Sequence, residues 1–150
     1  MTGNDVVLST FEGDADEAFA LILPICRSAF GAFTESYLTD RYPRVTDPLL
    51  LVATLERQPV GFKLGYRRGG DLFYIWLGAV TAQGRGIGTL LMQRQHALLK
   101  DLGYRHVETR TRAINNRMIM LNLRHGFHVA GFETSFDGIP IVTQRKALQS

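Results

Sequence analysis

Gln83-Gly84-Arg85-Gly86-Ile87-Gly88 is the stretch on which the reading of this 150-residue chain turns. Three glycines at alternate positions let the backbone enter conformations closed to other residues, and they let an anion approach without Cβ obstruction. The stretch follows a strand-like run and opens a helical pattern. The amides of Gly84 to Thr89 are therefore expected to converge on one concavity, with the positive end of a helix dipole behind them. Gln83 and Arg85 add side-chain donors suited to phosphate oxygens. The competing reading is that the glycines only permit tight packing at a strand-to-helix turn. Spacing excludes two other phosphate loops. A P-loop needs Lys-Ser/Thr after its last glycine, where this chain has Ile87-Gly88-Thr89. The dinucleotide fingerprint needs Gly-x-Gly-x-x-Gly after the first strand of a parallel unit, and here the spacing is Gly-x-Gly-x-Gly after antiparallel strands.

Before the loop lie three strand-like runs, Leu49 to Leu55, Val60 to Arg67 and Leu72 to Val80, with breaks too short for a helical crossover. They predict an antiparallel meander. Upstream, Val6 to Phe11 suits a first strand, and Asp14 with Glu17 forms a capping box for a helix running to about Ser28. Ser36 to Arg41 suits a second short helix. After the loop, Gly86 to Leu102 carries a helical apolar stripe closed by Gly103. His106 to Thr111, Phe127 to Glu133 and Ile139 to Arg145 read as strands, and Asn115 to His125 as a helix whose Met118 and Met120 look like core. The order is β-α-α-β-β-β-α-β-α-β-β: an α/β (α+β mixed) single domain over residues 1–150, with a mixed central sheet of about seven strands and helices on both faces.

Composition narrows the function classes. With 45% hydrophobic and 21% charged residues the chain reads as an ordinary globular domain. Cys26 is the only cysteine, which rules out an intramolecular disulfide, and its apolar run marks it as a buried small hydrophobe. The net charge of +3 is scattered apart from five arginines between Arg105 and Arg124, so no nucleic-acid partner is expected. The opening residues MTGNDVV have neither the basic nor the apolar region of a secretory signal, and no membrane span is present. A cytoplasmic protein is expected. His96, His106, His125 and His128 have no metal-ligand spacing, so no metal is expected.

With the loop and the element order in place, the chain resembles the GCN5-related N-acetyltransferase (GNAT) superfamily, most nearly its bacterial members of unassigned substrate. Gln83-x-x-Gly86-x-Gly88 after the fourth strand matches the family hallmark, and Asn115 through Gly126-Phe127 has the spacing of its second landmark. The resemblance implies acetyl-CoA as co-substrate. Gly78, Ala79 and Val80 would pair with its pantetheine arm where strands four and five splay. Gln83, Gly84, Arg85, Gly86, Ile87, Gly88 and Thr89 would take its pyrophosphate, and Asn115 would hydrogen-bond near the pantetheine. A neutral amine would attack the thioester directly, with backbone donors near Val80 polarising the carbonyl.

Two departures from the family pattern bear on catalysis. The position that often carries a tyrosine acid is Asn122, whose amide can hydrogen-bond a sulfur but not protonate it. The segment from Val80 to Gln83 lacks the usual proline and is about a residue short, so the strand-four bulge is expected to be displaced. No carboxylate lies between Leu72 and Val80, which leaves Tyr74 as substrate contact or proton relay, with a packed strand aromatic as the alternative. Glu108 reads as a surface partner of Arg110 or as a base, and Glu35 and Asp40 as recognition groups for a cationic amine. The leading expectation is an N-acetyltransferase acting on a small-molecule or amino-acid-like amine. A peptide or protein N-acetyltransferase and a non-catalytic acyl-CoA-binding module are the alternatives. A homodimer through an exposed final strand is expected.

Overall fold

A computed structural model describes residues 5–148. Val6–Thr10 forms β1, and the chain turns into α1, Ala15–Phe30. The capping box is made as the sequence predicts: the Asp14 carboxylate accepts from the Glu17 amide at 2.8 Å, and Glu17 accepts from the Asp14 amide at 3.2 Å. The predicted second helix is shorter than expected, and a 3-10 turn follows it. Glu35–Thr39 forms α2, and a separate 3-10 turn occupies Tyr42–Arg44. Pro43 has no amide hydrogen to continue α2 but suits the first positions of a new turn.

The meander is β2 (Thr46–Leu55), β3 (Gln58–Gly69) and β4 (Leu72–Val80). Glu56 and Arg57 turn the β2–β3 hairpin with φ of 52° and 67°, the positive values a two-residue connection needs. The chain continues through α3 (Ile87–Asp101), β5 (His106–Arg112), α4 (Asn116–Arg124), β6 (His128–Thr134) and β7 (Pro140–Ala147). The seven strands form one sheet in the order β1-β2-β3-β4-β5-β7-β6. Only β4 and β5 pair in parallel, joined by the α3 crossover.

The final strand is not at an edge, contrary to expectation. It pairs with β5 from His106↔Ala147 to Arg112↔Ile141, and β6 lies outside it. The hairpin folds back across β5, so the free edges belong to β1 and β6.

β2 is buried on both sides, which explains its unbroken apolar run. Leu50 and Val52 join Phe62, Leu64, Tyr74 and Trp76 beneath α1, where Ile22 and Cys26 are fully buried. Burial pushes the Cys26 thiol up to about 11, as suits an inert core residue. Leu51 and Ala53 face the other way, onto Ile87 and Leu91 of α3. Met118 and Met120, read as core, are instead exposed, because α4 turns Asn122 inward.

α3 also buries polar groups. Gln95 is fully buried, with both amide atoms unpartnered, and His96 lies beside Phe127 with Nε2 unpartnered. His96 Nδ1 stands 3.1 Å from Lys146 Nζ. Burial first, then the charges of Lys146, Lys63 and His125, push the imidazole down from 6.5 to about 3. Below pH 6.5 the unfolded chain therefore binds a proton that the folded chain refuses. Stability is complete above that pH and declines as the pH falls toward 3. Urea unfolding at pH 7.5, 6.5 and 5.5 should show a loss of roughly 1 kcal/mol per pH unit below pH 6.5. His96→Gln should remove most of that slope; equal slopes in the two proteins would exclude His96 as its source.

Candidate active site

β4 and β5 pair only from Leu72↔His106 to Ile75↔Thr109, although β4 runs on to Val80 and β5 to Arg112. The parting coincides with a bulge in β4. Opposite β3 the register passes from Gly65↔Ile75 to Leu64↔Leu77, leaving Trp76 as the extra residue. The bulge thus lies just before the Gly78 to Val80 segment named from the sequence. Beyond it, ladder alternation sets which groups face the gap. Thr81 donates to the Val60 carbonyl at 2.8 Å, so Ala79 turns its amide and carbonyl to Phe62. Those of Gly78 and Val80 point toward the wedge between β4 and β5. One of them is already engaged: Gln83 Nε2 donates to the Val80 carbonyl at 2.7 Å. The remainder form a short strand edge suited to an extended ligand with amide groups.

The glycine loop stands at the end of this edge. Gly84 and Gly86 have φ of 78° and 69°, values that favour glycine. Gly86 is the N-cap of α3 and supplies no side-chain cap, and the first turn holds no acidic residue. The helical ladder starts with Leu90 N to Gly86 O at 3.0 Å, leaving the amides of Ile87, Gly88 and Thr89 without intrahelical acceptors. A Cβ on Gly84, Gly86 or Gly88 would meet nothing within 4 Å. That rules out tight packing as the reason for the glycines. Gly88 is the telling position, since it has neither positive φ nor a close neighbour. Ile87 anchors the loop, its side chain buried against Leu51, Ala53 and Leu91. Arg85 is exposed and makes no ion pair with any described residue. The arrangement is a cationic, amide-lined recess at a helix N-terminus, and a pyrophosphate fits its donor set.

The other named residues are placed less simply. Asn115 caps α4, its Oδ1 accepting from the Met118 amide at 3.2 Å. Asn122 is buried, with Nδ2 donating to Gln144 Oε1 at 2.9 Å, while Gln144 Nε2 donates to the Ile119 carbonyl at 3.1 Å. Gln144 is fully buried and directly opposite Thr109, where the parallel pairing ends. Nothing in the local pattern of the last strand distinguishes it from a surface glutamine. Tyr74 lies among aromatics, 5.4 Å from Tyr66 and beneath the Arg68 guanidinium at 4.6 Å. Burial raises its hydroxyl above the ordinary tyrosine value, so it is protonated and a poor base at neutral pH.

Glu108 is not a surface partner of Arg110. It is 7% exposed, and it accepts from Arg145 at 2.6 Å and from Arg68 at 3.4 Å. Arg145 stands directly across from it in the β5–β7 register, whereas Arg110 is two residues along and pairs with Glu133. Glu35 is held by Arg27 at 2.8 Å, which lowers its carboxyl and removes it as a free receptor for a cation. Among the described residues no group of three or more His, Cys, Asp or Glu could hold a metal.

The chain matches the acetyltransferase (GNAT) family over residues 18–127 and belongs to that family. It is similar to the ribosomal-protein-S18-alanine N-acetyltransferase of Escherichia coli, with TM-score 0.81 and 21% identity over 97% of this chain and 96% of that one. An aminoglycoside 6'-acetyltransferase type Ii has TM-score 0.81 at 14% identity, over 96% of this chain and 98% of that one. A GNAT acetyltransferase of Elizabethkingia anophelis, solved with acetyl-CoA bound, has TM-score 0.77 and 16% identity over 95% and 98% of the two chains. At such identities the likeness is one of fold. None of the curated proteins compared with the chain matches it significantly.

The Asn122–Gln144 pair can be tested as a unit. Asn122→Leu should cost about 1–3 kcal/mol of stability, because it strands the Gln144 oxygen. Asn122→Leu with Gln144→Leu should cost clearly less than the sum of the single changes. Additive losses in urea unfolding would show that the two amides do not depend on each other.

Proposed function

We propose that the chain is an acyl-CoA-dependent N-acyltransferase that moves an acetyl group from acetyl-CoA to the amine of a small-molecule or amino-acid-like acceptor. The observation that carries this reading is the parting of β4 from β5 beside the uncapped, glycine-lined start of α3. The two features offer an extended ligand a strand edge for its amides and a helix N-terminus for its phosphates. The related fold solved with acetyl-CoA bound supports the choice of ligand.

In this reading the amides of Gly84 to Thr89 receive the pyrophosphate, and Arg85 adds a guanidinium. The edge groups of Gly78 pair with the pantetheine, and the Asn115 side-chain NH2, unpartnered among the described residues, adds a donor. The amine lone pair attacks the thioester carbonyl carbon while the Val80 amide stabilises the developing oxyanion. The C–N bond forms and the C–S bond breaks, sulfur leaving with the bonding pair. The proton released by the amine passes to water. Asn122 and Tyr74 serve as positioning groups, since one is an amide tied to Gln144 and the other a buried phenol.

A second reading, an acyl-CoA-binding module without turnover, draws on the fact that Glu108, Asn122 and Tyr74 are each buried or already engaged. Release of CoA with a panel of amines separates the two. A peptide or protein N-terminus is the rival acceptor. The reading places the reaction in the cytoplasm. A homodimer belongs to it as well, with pairing through β6, where Val129 and Phe132 are exposed.

Gly88→Asp tests the loop without straining it, because Gly88 has ordinary φ and open surroundings. A carboxylate in the first turn favours the helix dipole by about 0.3–1 kcal/mol, so the melting temperature should hold or rise. Acetyl-CoA affinity should fall at least about tenfold, or 1.4 kcal/mol. Calorimetric titration giving an unchanged dissociation constant would remove the loop from the binding site.

A further inference from the structure

On the α1 face, between the 3-10 turn and the bulge of β4, lies an open cavity of about 400 Å³. That volume lies within the range of roughly 300–1,000 Å³ typical of small-molecule sites. Arg41, Arg44 and Arg68 line it together with Tyr66 and Trp76, and no carboxylate of the described residues does. Arg67 also reaches the wall, but its guanidinium is committed elsewhere, to Asp47 at 2.9 Å and over the Tyr104 ring at 4.6 Å.

Positive charge is in excess here. Arg68 shares the single Glu108 carboxylate with Arg145. Arg41 lies 5.3 Å over the Tyr37 ring, and neither Arg41 nor Arg44 has a carboxylate within 4.0 Å among the described residues. Of the other nearby acids, Glu35 is held by Arg27 and Asp47 by Arg67, and Asp40 does not line the cavity. Crowded guanidinium groups are best satisfied by a carboxylate or phosphate received through parallel N–H donors.

Trp76 connects this cavity to the cleft. It lines the cavity, it is the bulged residue of β4, and it follows directly on the last β4–β5 pair. Its indole nitrogen donates to the Tyr37 hydroxyl at 3.0 Å, fastening α2 over the same point. Trp76 thus joins the arginine-lined cavity to the opening between the strands.

We propose that the acceptor is an amine bearing an oxyanion, a carboxylate or a phosphate, which Arg41, Arg44 and Arg68 receive while Tyr66 and Trp76 pack against its carbon body. The chemistry of transfer rests on the function proposed above; the binding preference does not. Acylation removes the positive charge of the amine and leaves the oxyanion in place, so the product is a net anion. Polycationic amines are disfavoured, because the arginines repel them.

Trp76 is the only tryptophan of the chain, so its emission reports occupancy of the cavity without any turnover. The full chain, with and without CoA, is titrated with phenylalanine against phenylalaninamide and with phosphoethanolamine against ethanolamine. In at least one pair the oxyanion-bearing member should bind tenfold or more tightly, and the pair that responds tells carboxylate from phosphate. Spermidine should give no saturable change. Arg41→Gln with Arg44→Gln should abolish the preference while leaving acetyl-CoA affinity unchanged, and Arg44→Lys should retain part of it. Equal affinity within both pairs, or a preference that survives the double substitution, overturns the proposal. An anion preference in a chain that fails to bind acetyl-CoA would sink the acyl-transfer reading and leave this one standing.

Discussion

The β4–β5 ladder stops after four residue pairs, and the rest of the molecule is arranged around that interruption. Two parallel strands that share a crossover helix would ordinarily pair along their whole length, since unpaired edge groups are costly to bury. Here the Trp76 bulge redirects β4 while β5 stays in register with β7 to its end. The amide and carbonyl of Gly78 and the amide of Val80 are left in a wedge inside the sheet, the Val80 carbonyl being taken by Gln83. The loop that follows carries its own unsatisfied donors at the start of α3, so two sets of unmade hydrogen bonds meet at one place. A ligand with amides along its length and phosphates at one end satisfies both.

The two faces of the sheet divide the remaining tasks. The α3 and α4 face holds the glycine loop and a group of buried polar side chains, Gln95, His96, Asn122 and Gln144. Of these, Gln144 lies opposite Thr109 at the last β4–β5 pair and holds Asn122. The α1 and α2 face holds the aromatic group of Tyr37, Tyr66, Tyr74 and Trp76 with arginines above it. Its charge is positive, and Glu108, the only buried carboxylate among the described residues, is already shared by two guanidinium groups. A face built in this way has little to offer a cation and a good deal to offer an anion.

Much of the candidate site rests on short-range features of the sequence. The glycine spacing, the strand-to-helix setting and the departure at Asn122 are local features that a linear reading can weigh. Glu35 and Glu108 each have a partner that their sequence neighbourhood does not show. Glu35 and Asp40 suggested a receptor for a cation because their sequence neighbourhood covers the acceptor side. Arg27, eight residues from Glu35, takes that carboxylate, and the cavity wall is completed by Arg68 from β3. Glu108 was matched with Arg110 by proximity along the chain, whereas a strand places residue 145 directly opposite it.

The chain alone determined whatever depends on a few consecutive residues. The Asp14–Glu17 cap, the tight hairpins of the meander, the positive φ of Gly84 and Gly86 and the α3 crossover all follow from short-range sterics and hydrogen bonding. Tertiary structure decided the pairings between distant segments. It set β7 inside β6, joined Asn122 to Gln144, and gathered Arg41, Arg44 and Arg68 around Trp76. Such contacts close loops of 20 to 40 residues, and no periodicity in the sequence records which strand will lie beside which. The physical reason is that register is chosen by the burial of whole sheet faces at once, while a turn or a cap is chosen by the residues that form it.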